Sequence, residues 1–352
     1  MQITVVRLKS LLKILAALIF ATLLLINPNL VSTAAKDGLN TSLFLVVPSV
    51  FPFAVISTYI CSGLILPSAL TRLFSRLFKI SSNAVAPFLM GLISGYPVGA
   101  ILISDACFKN ALSKEESEHL LPFANAAGPL FMISVVGAGM FGNVTIGYFL
   151  YLVHIASVIL IFFLSRHFSP VKSRVSSKDH SKLSIIRSID KAMNSMINVI
   201  GCITFFAVLC EILKSIGIFE FFGSFSGVFY GTLELTSGLK VLALTYLPMR
   251  LKLSLASFLC GFSGICIFLQ VKNAVIKENL SCTKYVVCKL LIGLSAFILT
   301  WLLYPYIPIT HPTFANASPL SPDFVSASYG FILILLPVIK FLRRAAPFFD
   351  KR

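Results

Sequence analysis

Two polar interruptions inside apolar runs hold the residues of this chain best able to do chemistry. Residues 84–103 (AVAPFLMGLISGYPVGAILI) are apolar and long enough for a membrane helix, yet their middle holds Ser94, Gly95, Tyr96 and Pro97. Residues 122–141 are interrupted in the same way by Asn125 and by Gly128 and Pro129. Proline removes a backbone donor and glycine loosens a helix. In hydrocarbon each freed backbone group costs several kcal/mol unless something satisfies it, so broken backbone at that depth is packed in protein or lines a watery cavity. Paired breaks of this kind point to a solute-binding site, with the Ser94 and Tyr96 side chains beside free amides and carbonyls. The bland alternative is a proline kink with glycines for close helix packing.

Two further breaks follow in the second half, at residues 231–238 (GTLELTSG) and 261–264 (GFSG). Glu234 lies in the first, among apolar residues, and an ionisable group at that depth is read as functional, in coupling or proton transfer. A carboxylate at a helix end facing water is the alternative. Thr236, Ser237 and Ser263 are the solute-side candidates there. Asp105, which closes the first broken run, is a second coupling candidate; Glu211 and Lys240 are weaker ones, and Gln270 resembles a pore-side polar residue at best. Asn125 can donate and accept; its bland role is interhelical glue, worth about 0.6 kcal/mol.

These breaks need membrane helices to hold them. The 352 residues are 57% hydrophobic and only 12% charged, with mean hydropathy +0.92, against about 25% charged in a soluble domain. The apolar runs are continuous rather than alternating, which selects helices over a barrel. The net charge of +16 falls mostly in short loops beside apolar runs. That is the distribution that orients a membrane protein, so no nucleic-acid partner is expected. The eight cysteines and five histidines are scattered. With no Cys-x-x-Cys, Cys/His cluster, HExxH, Walker A or GxSxG, no metal, cofactor or enzymatic mechanism is expected.

The expected order is a retained N-terminal membrane helix and short outer loop (1–41), a first repeat (42–165), a basic cytoplasmic linker (166–191) and a second repeat (192–307). An outer loop, last membrane helix and basic tail (308–352) close the chain. Residues 67–83 read as a basic loop, and Ser113 with Glu116 as a capping box opening a short amphipathic helix. Residues 145–164 read as an uninterrupted span and 285–306 as a long one. If one segment of each broken pair is re-entrant, every basic loop falls on the cytoplasmic side and the halves have inverted topology. The fold expected is therefore an all-α polytopic membrane protein with about eight transmembrane helices plus two re-entrant or broken segments in two inverted repeats.

GLISGYPVGA followed by SKEESEHLLPFANAAGPLFMISVVGAGMF resembles the sporulation integral membrane protein family of the YlbJ type, within the nucleoside-recognition Gate domain group. VPSVFPFAVIS and GTLELTSGLK fit the same pattern. The family pattern places two asparagines where this chain has Ala124 and Asn125, so Asn125 alone is retained. The resemblance implies two Gate-like repeats and a protein that moves dipicolinic acid across the outer forespore membrane of an endospore former. Its partners would be a small anion and the bilayer, with a second copy or other sporulation membrane proteins as further candidates. A nucleoside or ion permease, or a forespore membrane assembly factor, are the alternatives. No arginine lies inside a broken segment, so an anion would depend on backbone amides at half-helix N-termini.

Overall fold

The computed structural model describes residues 2–62, 66–165 and 184–307. The linker residues 166–183 and the closing residues 308–352, with their expected outer loop and last helix, lie outside the described residues. Among the described residues the chain is helical throughout, with no strand.

Helix α1 (Gln2–Ile26) ends at Asn27, and Pro28 opens α2 (Pro28–Thr41). A wider turn of π-helix, π1 (Ser42–Val46), passes the chain into α3 (Val47–Cys61) without interruption. Pro48 falls in the first turn of α3, where a missing N–H costs little. The outer loop expected before residue 42 is thus helical instead, and 28–61 form one unit of 34 residues. The basic stretch expected as a loop is also mostly helix, α4 (Ser68–Phe78). It carries Arg72 and Arg76, and meets α5 (Ser82–Ser94) at 86°.

Next come α6 (Val98–Phe108) and α7 (Lys114–Ala124). The Ser113 hydroxyl accepts the N–H of Glu116 at 3.1 Å, the first half of the expected box. The Glu116 carboxylate does not close it; it accepts the N–H of Ser81 at 2.7 Å and pins the start of α5. A ten-residue π-helix, π2 (Phe131–Met140), precedes α8 (Val144–Ser165). The second half begins with α9 (Ile185–Ser215), capped by the Ser184 hydroxyl. The linker expected to reach 191 therefore gives way to helix at Ile185.

Then follow α10 (Ser226–Leu233), α11 (Leu235–Ala243), α12 (Met249–Phe262), α13 (Gly264–Ala274) and α14 (Thr283–Leu303). Two of the four breaks fold the chain back on itself. Helices α5 and α6 pack along each other across residues 95–97, and α10 and α11 pack along each other with Glu234 as the whole turn. The second hairpin closes on glycine: a Cβ on Gly238 would sit 2.1 Å from the Gly231 backbone. The other two breaks carry the chain onward. Helices α7 and π2 do not pack side by side, nor do α12 and α13, and residues 249–274 act as one span of 26 residues.

One order of parts thus runs twice: a long helix (α3, then α9), a hairpin, a broken span, and a long helix (α8, then α14). Helix α14 is the hub, packed on α12, α8 and α7, while α9 packs on α2 and α3. An aromatic cluster of Phe78, Phe88, Phe123 and Phe162, with ring centroids 5.1–5.5 Å apart, ties α4, α5, α7 and α8 together. Among the described residues five helices are long and apolar enough to cross a bilayer, or six if the bent α4–α5 pair is one span. The all-α polytopic class is as expected, and the number falls short of eight. Part of the reason is that the expected last membrane helix, residues 329–342, lies outside the described residues, and the break in α7–π2 leaves two short pieces. The long helices present Leu152, Ile197, Phe205, Ile298 and Leu302 outward, as lipid-facing helices do.

Candidate solute site at the helix breaks

The hairpin tips meet. Gly95 and Tyr96 from the first, and Glu234, Leu235 and Thr236 from the second, line one pocket with Gly128 and Phe131 of the α7–π2 break. Val46 and Val50, Val199 and Ile203 of α9, and Cys266 and Gln270 of α13 complete it. Its cavity volume is about 30 Å³, room for a water molecule or two.

Glu234 is 2% exposed. Its carboxylate accepts the N–H groups of Thr236 at 2.9 Å and Ser237 at 2.6 Å, capping the start of α11. A helix N-terminus favours a negative charge, and a carboxylate there takes up orphan amides. The side chain is neither at a wet helix end nor unpaired. It already fills the anion position that the sequence left open for a solute.

The first hairpin tip is built differently. The Ser94 hydroxyl pairs with that of Ser57 at 2.5 Å and donates to the Met90 carbonyl at 2.7 Å, tying α5 to α3 behind the pocket wall. Tyr96 projects into the site, edge-on to Phe131 at 6.3 Å, and its buried hydroxyl has no hydrogen-bond partner. The Tyr96–Pro97 peptide bond is cis.

At the α7–π2 break Asn125 is fully buried. Its amide donates to the Tyr285 hydroxyl at 2.9 Å, and its carbonyl accepts from the Lys289 ammonium at 2.7 Å. The N–H of Ala127, two residues on, donates to His154 Nε2 at 2.9 Å. Ser263, in the left-handed region at φ +69°, donates its hydroxyl to the Phe262 carbonyl at 2.6 Å. Two backbone groups freed at the α7–π2 break are thus satisfied by side chains of α8 and α14.

The expected residues therefore divide. Gly95, Tyr96, Gly128, Glu234 and Thr236 share the pocket, with Asn125 just behind it. Ser94, Pro129 and Ser263 are buried in its supporting wall. Pro97 and Ser237 line two other, open clefts. Asp105 is removed from the pocket: it pairs with Lys191 at 2.5 Å, with both side chains partly exposed.

The open clefts flank the pocket. One, about 370 Å³, is lined by Pro97, Asp105, Lys191, Asn194, Asn198 and Gln270. The other, about 420 Å³, is lined by Asp37, Thr41, Ala207, Glu211, Ser237 and Lys240. Along α9, Lys191 and Glu211 are about 30 Å apart, close to the thickness of a hydrocarbon core. The closed pocket touches α9 between them, at Val199 and Ile203.

Three residues of this site, Lys289, Tyr285 and His154, escaped the reading of the sequence. A signal existed for one of them. Lys289 lies inside the apolar run 285–306, and a charge within such a run points to function. Its place near the start of the run reads equally well as a lysine reaching for the interface. His154 sits in an uninterrupted span, where no break marks it.

Paired hairpins and broken spans define an all-helical polytopic integral membrane protein. No family model matches the chain, and no solved structure matches it. It is 24% identical over 342 residues to the sporulation integral membrane protein YlbJ of Bacillus subtilis (strain 168), covering 83% of this chain and 84% of that one. Similarity along most of both chains supports the YlbJ-type family of sporulation membrane proteins.

Proposed function

We propose that this chain is a transporter of a small anionic metabolite, working by alternating access, with its two repeats in inverted orientation. One observation carries the reading. Two hairpin tips and a broken span converge on a closed pocket, and open clefts lie at either end of the helix that passes it. Hairpins that part on one side and then the other would join the pocket to each cleft in turn. A solute carboxylate reaches the amides of Thr236 and Ser237 only when Glu234 leaves them, so this acid competes with the solute and is the coupling group. Asp105, paired with Lys191 at a cleft, acts in that reading as part of a gate rather than as a proton carrier.

The resemblance and the sporulation role named for the relative support dipicolinate as the solute and the outer forespore membrane as the place. A scaffold or assembly factor needs no such pocket between two clefts. The test is uptake by purified protein in liposomes, with labelled dipicolinate and labelled nucleosides offered separately. Saturable dipicolinate uptake is expected. Uptake of nucleosides alone would make the protein a Gate-type permease, and uptake of neither would end the transport reading.

A further inference from the structure

Lys289 is 1% exposed, in the middle of the protein. An ammonium has three donors, and a single hydrogen bond accounts for one of them, to the Asn125 carbonyl. Two tyrosine faces also stand near it, with the Tyr96 ring centroid at 5.7 Å and that of Tyr285 at 5.8 Å. Among the described residues no carboxylate pairs with it. Keeping a lysine charged at such a site without a counter-charge is costly, and a carboxylate ligand would supply one. Beside it, two buried polar atoms also lack partners: the Tyr96 hydroxyl and the Asn125 Oδ1. Tyr96 has one face toward Lys289 and also lines the pocket, so its ring separates the ammonium from the solute space.

We propose that Lys289, with the Tyr96 hydroxyl, forms a carboxylate-binding subsite that opens when the Tyr96 ring turns. One carboxylate oxygen would take the free ammonium donors and the other the phenol hydrogen. This deepens the transport reading and rests on it, because it supplies the fixed cation that the broken segments themselves lack. It also assigns the solute class: a small carboxylate, held at Lys289 whether or not it carries a second acid group.

The experiment measures melting temperature of the full chain in detergent with benzoate, with neutral benzamide, and with dipicolinate. Benzoate is expected to raise the wild-type value and benzamide to leave it unchanged. Lys289→Gln keeps a donor for the Asn125 carbonyl but removes the charge, so the benzoate shift should vanish and dipicolinate uptake fall at least about tenfold. Tyr96→Phe, which keeps the ring, should weaken benzoate binding several-fold. An undiminished benzoate shift in Lys289→Gln overturns the subsite. Should that variant not fold, an undiminished shift in Tyr96→Phe does so. No benzoate shift in the wild type also overturns it. A benzoate shift without dipicolinate uptake would uphold the subsite and reject dipicolinate as the solute.

Discussion

Gly99→Ala adds one methyl group where the first hairpin meets the α7–π2 break. The new Cβ would lie 1.9 Å from the Ala124 carbonyl oxygen, 2.5 Å from its carbon and 3.0 Å from the Asn125 nitrogen. Ordinary contact begins at 3.4 Å, so α6 and the end of α7 must part by up to 1.5 Å. The obstacle is backbone, and the next carbonyl along is held by Lys289, so no flexible side chain can give way. Overpacking of this kind costs about 1–3 kcal/mol, and more where backbone must move. Alanine's better helix propensity returns at most about 1 kcal/mol. Gly201→Ala is the matched control, since a Cβ there meets nothing within 4 Å. It should be neutral or stabilise by up to about 1 kcal/mol. Thermal and denaturant unfolding of both purified variants in one detergent would measure the difference. Gly99→Ala melting at or above wild type would refute the close packing of hairpin on break.

Three further outcomes are expected. Glu234→Gln keeps one acceptor for two amides and loses the charge, so it should destabilise by about 1–3 kcal/mol and depress uptake; wild-type stability would show that the cap does not form. Ser94→Ala removes one side of a buried hydroxyl pair and should cost about 1 kcal/mol with uptake near wild type, whereas abolished uptake at normal stability would put Ser94 in contact with solute. In a cysteine-free background, Asn194→Cys in the first cleft and Asn40→Cys, which lines the second, should react with a membrane-impermeant thiol reagent from opposite sides of the bilayer. Labelling of both from one side would contradict the two-cleft arrangement.

Much of this was legible from the chain itself. A run that is apolar over twenty residues but holds Gly95, Tyr96 and Pro97 at its centre reads as a broken or kinked helix, because backbone groups in hydrocarbon allow few alternatives. The same reasoning located the breaks near Asn125, Glu234 and Ser263 before any packing was known. It did not say which breaks reverse the chain. That depends on whether the flanking helices find each other, as α10 and α11 do where Gly231 meets Gly238, or continue outward, as α12 and α13 do. Side-chain direction was equally hidden: Ser94 and Tyr96 are two residues apart, yet one braces the wall and the other faces the pocket. The partner of Asn125 was furthest from reach. Lys289 stands 164 positions along the chain, and only the packing of α14 against α7 brings its ammonium to that carbonyl. Local chemistry decided where the backbone must open; long-range packing decided what stands in the opening.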